Sequence, residues 1–307
     1  MQLSENTTKS AELQNLFKDL VSKYEMGFAV VDLTASEPQI SGYNLDHFIY
    51  PASMYKVFIG AEVLRRIEAG EFSLEQKISV KSPNDVDKDA RIFPGDTRKL
   101  LNAGDSVTID YLINLMLTRS DNTASNCLID LVGRESITEN IIYKNGWQGS
   151  EVTRKYLDRI KEEKPYRFSS TTLSCPRHFA EFFYKVDRES MVSPWVSKKL
   201  KEYLLQFNRH SRQGLWLPDQ FKEYYAKGGW LETNLYGKNI LSLVSAVFKK
   251  GWAIIRWSND AGVITLPTGE RYVLVVFSVT KTLFPRKYFP IQEFSQRLMA
   301  YMDRSQM

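Results

Sequence analysis

The 307-residue chain is 43% hydrophobic and 25% charged, the balance of a soluble protein with a sizeable core. Its 41 basic and 36 acidic residues leave a net charge of +5 spread along the sequence, without the concentrated basic stripe of a dedicated nucleic-acid binder. No apolar run reaches the roughly 18 residues that a membrane span requires, and three scattered histidines with two cysteines supply no metal-ligand spacing, so neither a metal nor a cofactor is expected.

Ala11 to Tyr24 carries Leu13, Leu16, Phe17, Leu20 and Val21 at helical spacing, which predicts one amphipathic opening helix. Met26 to Leu33 and Gln39 to Tyr43 predict two strands joined by a short polar turn. A helix starts near Pro51 and ends near Gly70, and Lys81 to Gly104 has the Asp, Lys, Pro and Gly content of a long exposed loop. Thr108 is a cap for a helix that breaks at Arg119 to Asn122, and a second helix follows from Thr123 to a stop at Gly133. Helical patterns recur at Ile137 to Tyr143, at Pro176 to Val186 with Ser174 and Pro176 at its start, and at Val196 to Phe207. Strands are predicted at Tyr224 to Trp230, Gly251 to Thr265 and Arg271 to Thr280, before a final helix from Ile291 to Met302.

Strands at both ends around a helical middle predict an α+β fold. One antiparallel sheet, flanked by the N- and C-terminal helices, carries an inserted all-helical lobe. The expected division is a sheet lobe of residues 1–47 and 208–307 and a helical lobe of residues 48–207. Cys127 and Cys175 permit one disulfide or none. His47, His178 and His210 are expected at the surface or as satisfied core residues. Ile240 to Phe248 is an apolar segment that would serve as a flap or an oligomer contact.

The chemistry centres on Ser53 and Lys56. Residues three apart lie on one face of a helix, so the Lys56 amine can reach the Ser53 hydroxyl. A serine is a weak nucleophile until a neighbouring base takes its proton. Two further short motifs follow in order, Ser120-Asp121-Asn122 and Lys227-Gly228-Gly229.

With the longer runs Tyr50 to Val57, Met116 to Asn126 and Ser170-Thr171-Thr172 ahead of Pro176, these motifs resemble the penicillin-recognising serine hydrolases, most closely class A β-lactamases. The resemblance spans about residues 11 to 302. It implies an acylated nucleophile at Ser53, a proton partner at Lys56, a hydroxyl at Ser120 that hands a proton to the leaving nitrogen, and a substrate-binding amide at Asn122. It also implies structural roles for Asp121 and Asn126, a cation at Lys227 for a substrate carboxylate, and Gly229 and Trp230 in the substrate-binding strand. The oxyanion hole would be formed by the N–H groups of Ser53 and Trp230. The implied partner is a small β-lactam or peptidoglycan-like substrate, and the implied location is periplasmic or secreted, with a signal segment already removed.

Two departures stand out. Gly228 replaces the threonine or serine of the third family motif, removing a hydroxyl that would hold the substrate carboxylate. The glutamate of the family's E-x-x-L-N loop has no counterpart. Counting forward from Ser120 puts Tyr156 in its place, and counting back from Pro176 puts Arg159 there. Asp158 is the candidate base between them, with Glu162 and Glu163 close behind. The expectation is therefore slow release of the acyl group, or β-lactams that acylate a related peptidase or esterase without being turned over. A poorly catalytic binding module is the third reading.

Overall fold

A computed structural model describes residues 2–87, 96–157, 171–206, 215, 221–234, 254–283 and 289–304. Asp158, Arg159, Glu162, Glu163, Ser170, His210 and the 240–248 segment lie outside the described residues.

Helices α1 (Thr7–Leu16) and α2 (Lys18–Lys23) replace the single helix expected at the start. Phe17 between them leaves the helical backbone (φ −109°, ψ 14°), and its ring drops into the core against Phe28 and Phe294. Strands β1 (Glu25–Asp32) and β2 (Ile40–Tyr43) form the predicted hairpin, with Phe28 opposite Tyr43. A 3-10 turn (Ala52–Tyr55) then leads into α3 (Lys56–Glu68), so Ser53 stands on the turn that precedes the α-helix.

The supposedly exposed stretch after α3 is partly structured. A two-stranded ribbon, β3 (Lys77–Ser79) with β4 (Ser106–Thr108), closes its base, and Leu101 and Asn84 are buried. Thr108 caps α4 (Ile109–Asn114) by accepting from the Tyr111 N–H. A π turn (Leu115–Arg119) runs to Ser120, which is left-handed at φ 59°. Helix α5 (Asn122–Val132) ends at Gly133, whose φ of 82° suits a residue without a β-carbon. Short helix α6 (Arg134–Ile137) continues into a π turn (Thr138–Ile142). Then come α7 (Pro176–Asp187), preceded by Cys175 and not by Ser174, and α8 (Pro194–Leu204), capped by Ser193. Strands β5 (Glu223–Asn234), β6 (Ile254–Thr265) and β7 (Arg271–Thr282) precede the last helix, α9 (Pro290–Arg304).

The sheet order is β2-β1-β7-β6-β5, every neighbour antiparallel. Pairing of β1 with β7, Gly27 opposite Phe277, joins segments from the two ends of the chain. Alternate side chains enter two cores, because successive residues of a strand point to opposite faces. Phe28, Val30, Leu274 and Val276 meet Leu13, Phe17, Phe294 and Leu298 of the flanking helices. Ala29, Val31, Val275 and Phe277 meet α3 and α7 on the other face.

Helix α3 runs through that second core with Val57, Phe58, Ile59, Ala61, Val63 and Leu64 all buried. The Phe58 ring contacts Trp147, Phe179 and Phe182, and truncating such a residue costs about 3–5 kcal/mol. That packing fixes the turn that carries Ser53. Both cysteines are buried free thiols, which answers the open question with no disulfide. His178 is a satisfied core residue whose Nδ1 lies 2.7 Å from the Ser150 hydroxyl, and His47 sits at the surface 3.5 Å from Glu25. Among the described residues no acidic, histidine and cysteine side chains gather in a metal-holding group, and no helix is long and apolar enough to cross a membrane.

Candidate active site

Three elements bring the sequence motifs together: the turn at the head of α3, the left-handed corner before α5, and edge strand β5. Ser53, 8% exposed, lines an open cleft of about 930 Å³ with Asn122, Tyr156, Thr171, Thr172, Trp230 and Trp257.

Lys56 is buried, and its Nζ points at the corner. It donates to the Ser120 carbonyl at 2.6 Å and to Asn122 Oδ1 at 2.8 Å, with Ser120 Oγ at 3.3 Å and the Asp121 carbonyl at 3.4 Å. Lys227, equally buried on β5, donates to the same Ser120 Oγ at 3.0 Å and to the Gly228 carbonyl at 2.8 Å. Two lysine amines thus converge on one hydroxyl, which is hydrogen-bonded from both sides.

The corner is held rigidly. Asp121 caps α5 by accepting from the Ala124 N–H at 2.8 Å, and its other oxygen pairs with Arg119 at 2.8 Å, both side chains fully buried. Its carbonyl accepts from the Ser125 hydroxyl at 2.6 Å. Asp87, which sequence reasoning passed over, accepts from the N–H groups of Asn122 and Thr123 at the open end of α5. A lone aspartate in a polar loop carries no signal that would have revealed it.

Strand β5 lies directly against the turn that carries Ser53. An added β-carbon at Gly229 would come 2.6 Å from the Pro51 carbonyl oxygen, 2.7 Å from the Ser53 nitrogen and 2.8 Å from the Met54 nitrogen, so only glycine fits. Trp230 follows on the same strand, and its side chain is 47% exposed at the cleft. Asn259, opposite Gly229 on β6, donates to the Tyr50 carbonyl at 3.0 Å and accepts from the Ser278 N–H at 3.2 Å, tying the sheet to the segment that leads into Ser53. Sequence pattern gave no hint of Asn259, because it sits in an otherwise ordinary strand.

Asn126 reaches the loop that holds Tyr156. Its Oδ1 accepts from the Tyr156 N–H at 2.7 Å and its Nδ2 donates to the Tyr156 carbonyl at 3.3 Å. The Tyr156 ring stacks on Tyr55 at 5.0 Å with planes 5° apart, and Lys56 Nζ lies 4.2 Å from its centroid. Burial, with Tyr55 and Tyr50 beside it, holds the Tyr156 phenol well above its usual range, while the Ser53 hydroxyl opposes the shift.

Comparison with known proteins agrees with the motifs. The model of the beta-lactamase enzyme family matches residues 9–302. Beta-lactamase VEB-1 of Pseudomonas aeruginosa is 21% identical over 272 residues, covering 87% of this chain and 80% of VEB-1. The TLA-1 extended-spectrum beta-lactamase superposes with a TM-score of 0.72 at 19% identity, over 96% of this chain and 99% of that one. PBP-A superposes with a TM-score of 0.68 at 18% identity, over 99% and 100%. At these identities the structural matches establish a shared fold.

Proposed function

The chain belongs to the beta-lactamase enzyme family, a hydrolase of the serine β-lactamase type, and we propose that it opens β-lactam amides through an acyl-enzyme on Ser53 and releases the acyl group slowly. The observation that carries this reading is the convergence of Lys56 and Lys227 on Ser120 Oγ beside Ser53.

In the proposed reaction Ser53 Oγ attacks the lactam carbonyl carbon while its proton passes to Lys56 as general base. The oxyanion is held by the Ser53 and Trp230 N–H groups, the close approach of Gly229 to the turn being what brings the two segments together. The C–N bond then breaks, Ser120 gives the nitrogen its proton, and Lys56 restores that proton to Ser120. Lys227 attracts the substrate carboxylate, and Asn122, oriented by its bond to Lys56, presents its amide to the substrate side chain. Gly228 leaves that carboxylate without a hydroxyl partner at this position, which weakens β-lactam affinity. Hydrolysis of the ester returns a proton to Ser53 Oγ as water adds to the acyl carbon. Asp158 is the candidate base for that water, with Glu162 and Glu163 as its competitors.

On this reading the cleft lies between a sheet lobe of residues 1–47 and 208–307 and a helical lobe of residues 48–207. The substrates place the enzyme in the periplasm or outside the cell. Tyr156 in place of a carboxylate favours a second reading, a related peptidase that β-lactams acylate and do not leave. Hydrolysis of a chromogenic cephalosporin, compared with Ser53→Ala, tests the first reading. A stable mass adduct on Ser53 after penicillin exposure, without hydrolysis, selects the second, and the absence of both defeats acylation altogether.

A further inference from the structure

Asp85 lines the same cleft as Ser53 and Asn122, is half-buried, and has no hydrogen-bond or ion-pair partner among the described residues. The chain on both sides of it is fastened. Asn84 is buried, its Nδ2 donating to Asp130 Oδ2 at 2.7 Å and its carbonyl accepting from Asn126 Nδ2 at 3.4 Å. On the other side the Val86 N–H donates to the Thr123 hydroxyl at 3.1 Å, and Asp87 accepts from the Asn122 N–H at 2.5 Å. Asp85 is therefore held beside the first turn of α5, next to the residue that presents its amide to the substrate side chain in the proposed reaction. A carboxylate partly removed from water and left without a donor gains by meeting one.

We propose that Asp85 is a specificity-determining residue that selects substrates whose amide side chain carries a protonated amine. This rests on acylation of Ser53 as proposed above and adds which substrates are taken fastest. The charges along the cleft suit a substrate that is anionic at one end and cationic at the other. Lys227, bonded to Ser120, meets the carboxylate, and Asp85, held alongside Asn122, meets the amine. Asp87 does not compete for that amine, because its carboxylate already accepts from the N–H groups of Asn122 and Thr123. Arg154 and Lys155 line the same cleft and would repel an amine, but Lys155 is held by both oxygens of Asp130 at 2.7 and 2.9 Å. An ammonium–carboxylate contact in a half-buried site is charge-assisted and weakly screened, so it discriminates between substrates that are otherwise alike.

The test uses the full chain and three penicillins that differ in one substituent on the same phenylacetyl side chain: benzylpenicillin with hydrogen, ampicillin with an ammonium group and carbenicillin with a carboxylate. The second-order rate of Ser53 acylation by each is read by competition with a fluorescent penicillin. Wild type takes ampicillin at least about fivefold faster than benzylpenicillin, and carbenicillin slowest. Asp85→Asn keeps the size and loses the charge, so the ampicillin and benzylpenicillin rates come within about twofold of each other and the benzylpenicillin rate stays within about twofold of wild type. Asp85→Lys inverts the order and puts carbenicillin first. A residue that only shapes the loop would move all three rates together and leave their ratios unchanged.

The proposal is overturned if wild type acylates with ampicillin and benzylpenicillin at equal rates, or if Asp85→Asn keeps the wild-type ratio. A wild-type preference for carbenicillin, the outcome if Arg154 and Lys155 governed the cleft, overturns it as well. Should Asp85→Lys fail to fold, judged by its thermal melt, the wild-type ratio and Asp85→Asn still decide. Equal acylation by all three penicillins removes this proposal alone. Acylation by none of them is a different signature and removes the reading beneath it.

Discussion

Gly229 lies so close to Ser53 that a β-carbon on the glycine would sit 2.7 Å from the serine nitrogen. Strand β5 and the turn that carries Ser53 are therefore packed backbone to backbone, as the proposed oxyanion hole requires. Gly229→Ala must push β5 away from the turn. Labelling of Ser53 by a fluorescent penicillin should slow by about 10²-fold or more, the scale of losing one oxyanion donor. The thermal melt should move far less, and equal labelling rates in wild type and variant would show that the contact serves packing alone.

Ser53→Ala should abolish both labelling and hydrolysis. Lys56→Ala should reduce labelling by about 10²–10⁴-fold, the usual contribution of a general base. Intact-mass spectrometry after penicillin exposure reads both, and wild-type labelling of either variant would place the chemistry elsewhere.

Asp121 and Arg119 form an ion pair with no exposed surface on either side chain. Removing one partner leaves a buried charge alone, which costs about 3–5 kcal/mol. Asp121→Ala should lose that amount in a denaturant titration, together with the α5 cap, whereas Asp121→Asn keeps an oxygen for the Ala124 N–H and loses less. Equal stabilities for the two variants would mean that the retained oxygen, and with it the α5 cap, is immaterial, and wild-type stability in both would mean that the charge is.

Two buried groups oppose each other in acid. Burial pushes His178 down to about 4, with Arg177 acting in the same sense and Asp46 against it. The unfolded chain protonates this histidine near 6.5, so its contribution is complete above pH 6.5 and is lost as pH falls to 4, at most about 3 kcal/mol. Asp260 is pushed up to about 6 by burial, against the Leu215 N–H and Lys227, from an unfolded value of 3.8. Its ionised form weakens the fold above pH 6, and a comparable amount of stability, about 3 kcal/mol, returns as pH falls to 3.8. Asp260→Asn should therefore steepen the loss of stability between pH 6 and 4, while His178→Gln should flatten or reverse it. Denaturant midpoints at pH 7, 5.5 and 4.5 measure this, and parallel profiles for all three proteins would contradict it.

Much of the architecture was legible in the sequence because it is local. Continuous apolar runs within 26–33 and 271–280 mark strands, Thr108 and Gly133 mark helix ends, and the spacing of Ser53 and Lys56 depends only on the pitch of a helical turn. The three motifs in order also carried the family resemblance. What the tertiary structure decided is what depends on distance through space. Pairing of β1 with β7 unites residues about 250 apart, with Glu25 opposite Val279. The convergence of Lys56, Ser120 and Lys227 brings together three elements that share no sequence neighbourhood. Counting along the chain left Tyr156 and Arg159 as alternatives for the place of the missing glutamate. The clasp of Asn126 on the Tyr156 backbone and the position of Lys56 over its ring set Tyr156 beside Ser53. Loop length is free to vary between fixed helices, so sequence spacing could not make that choice.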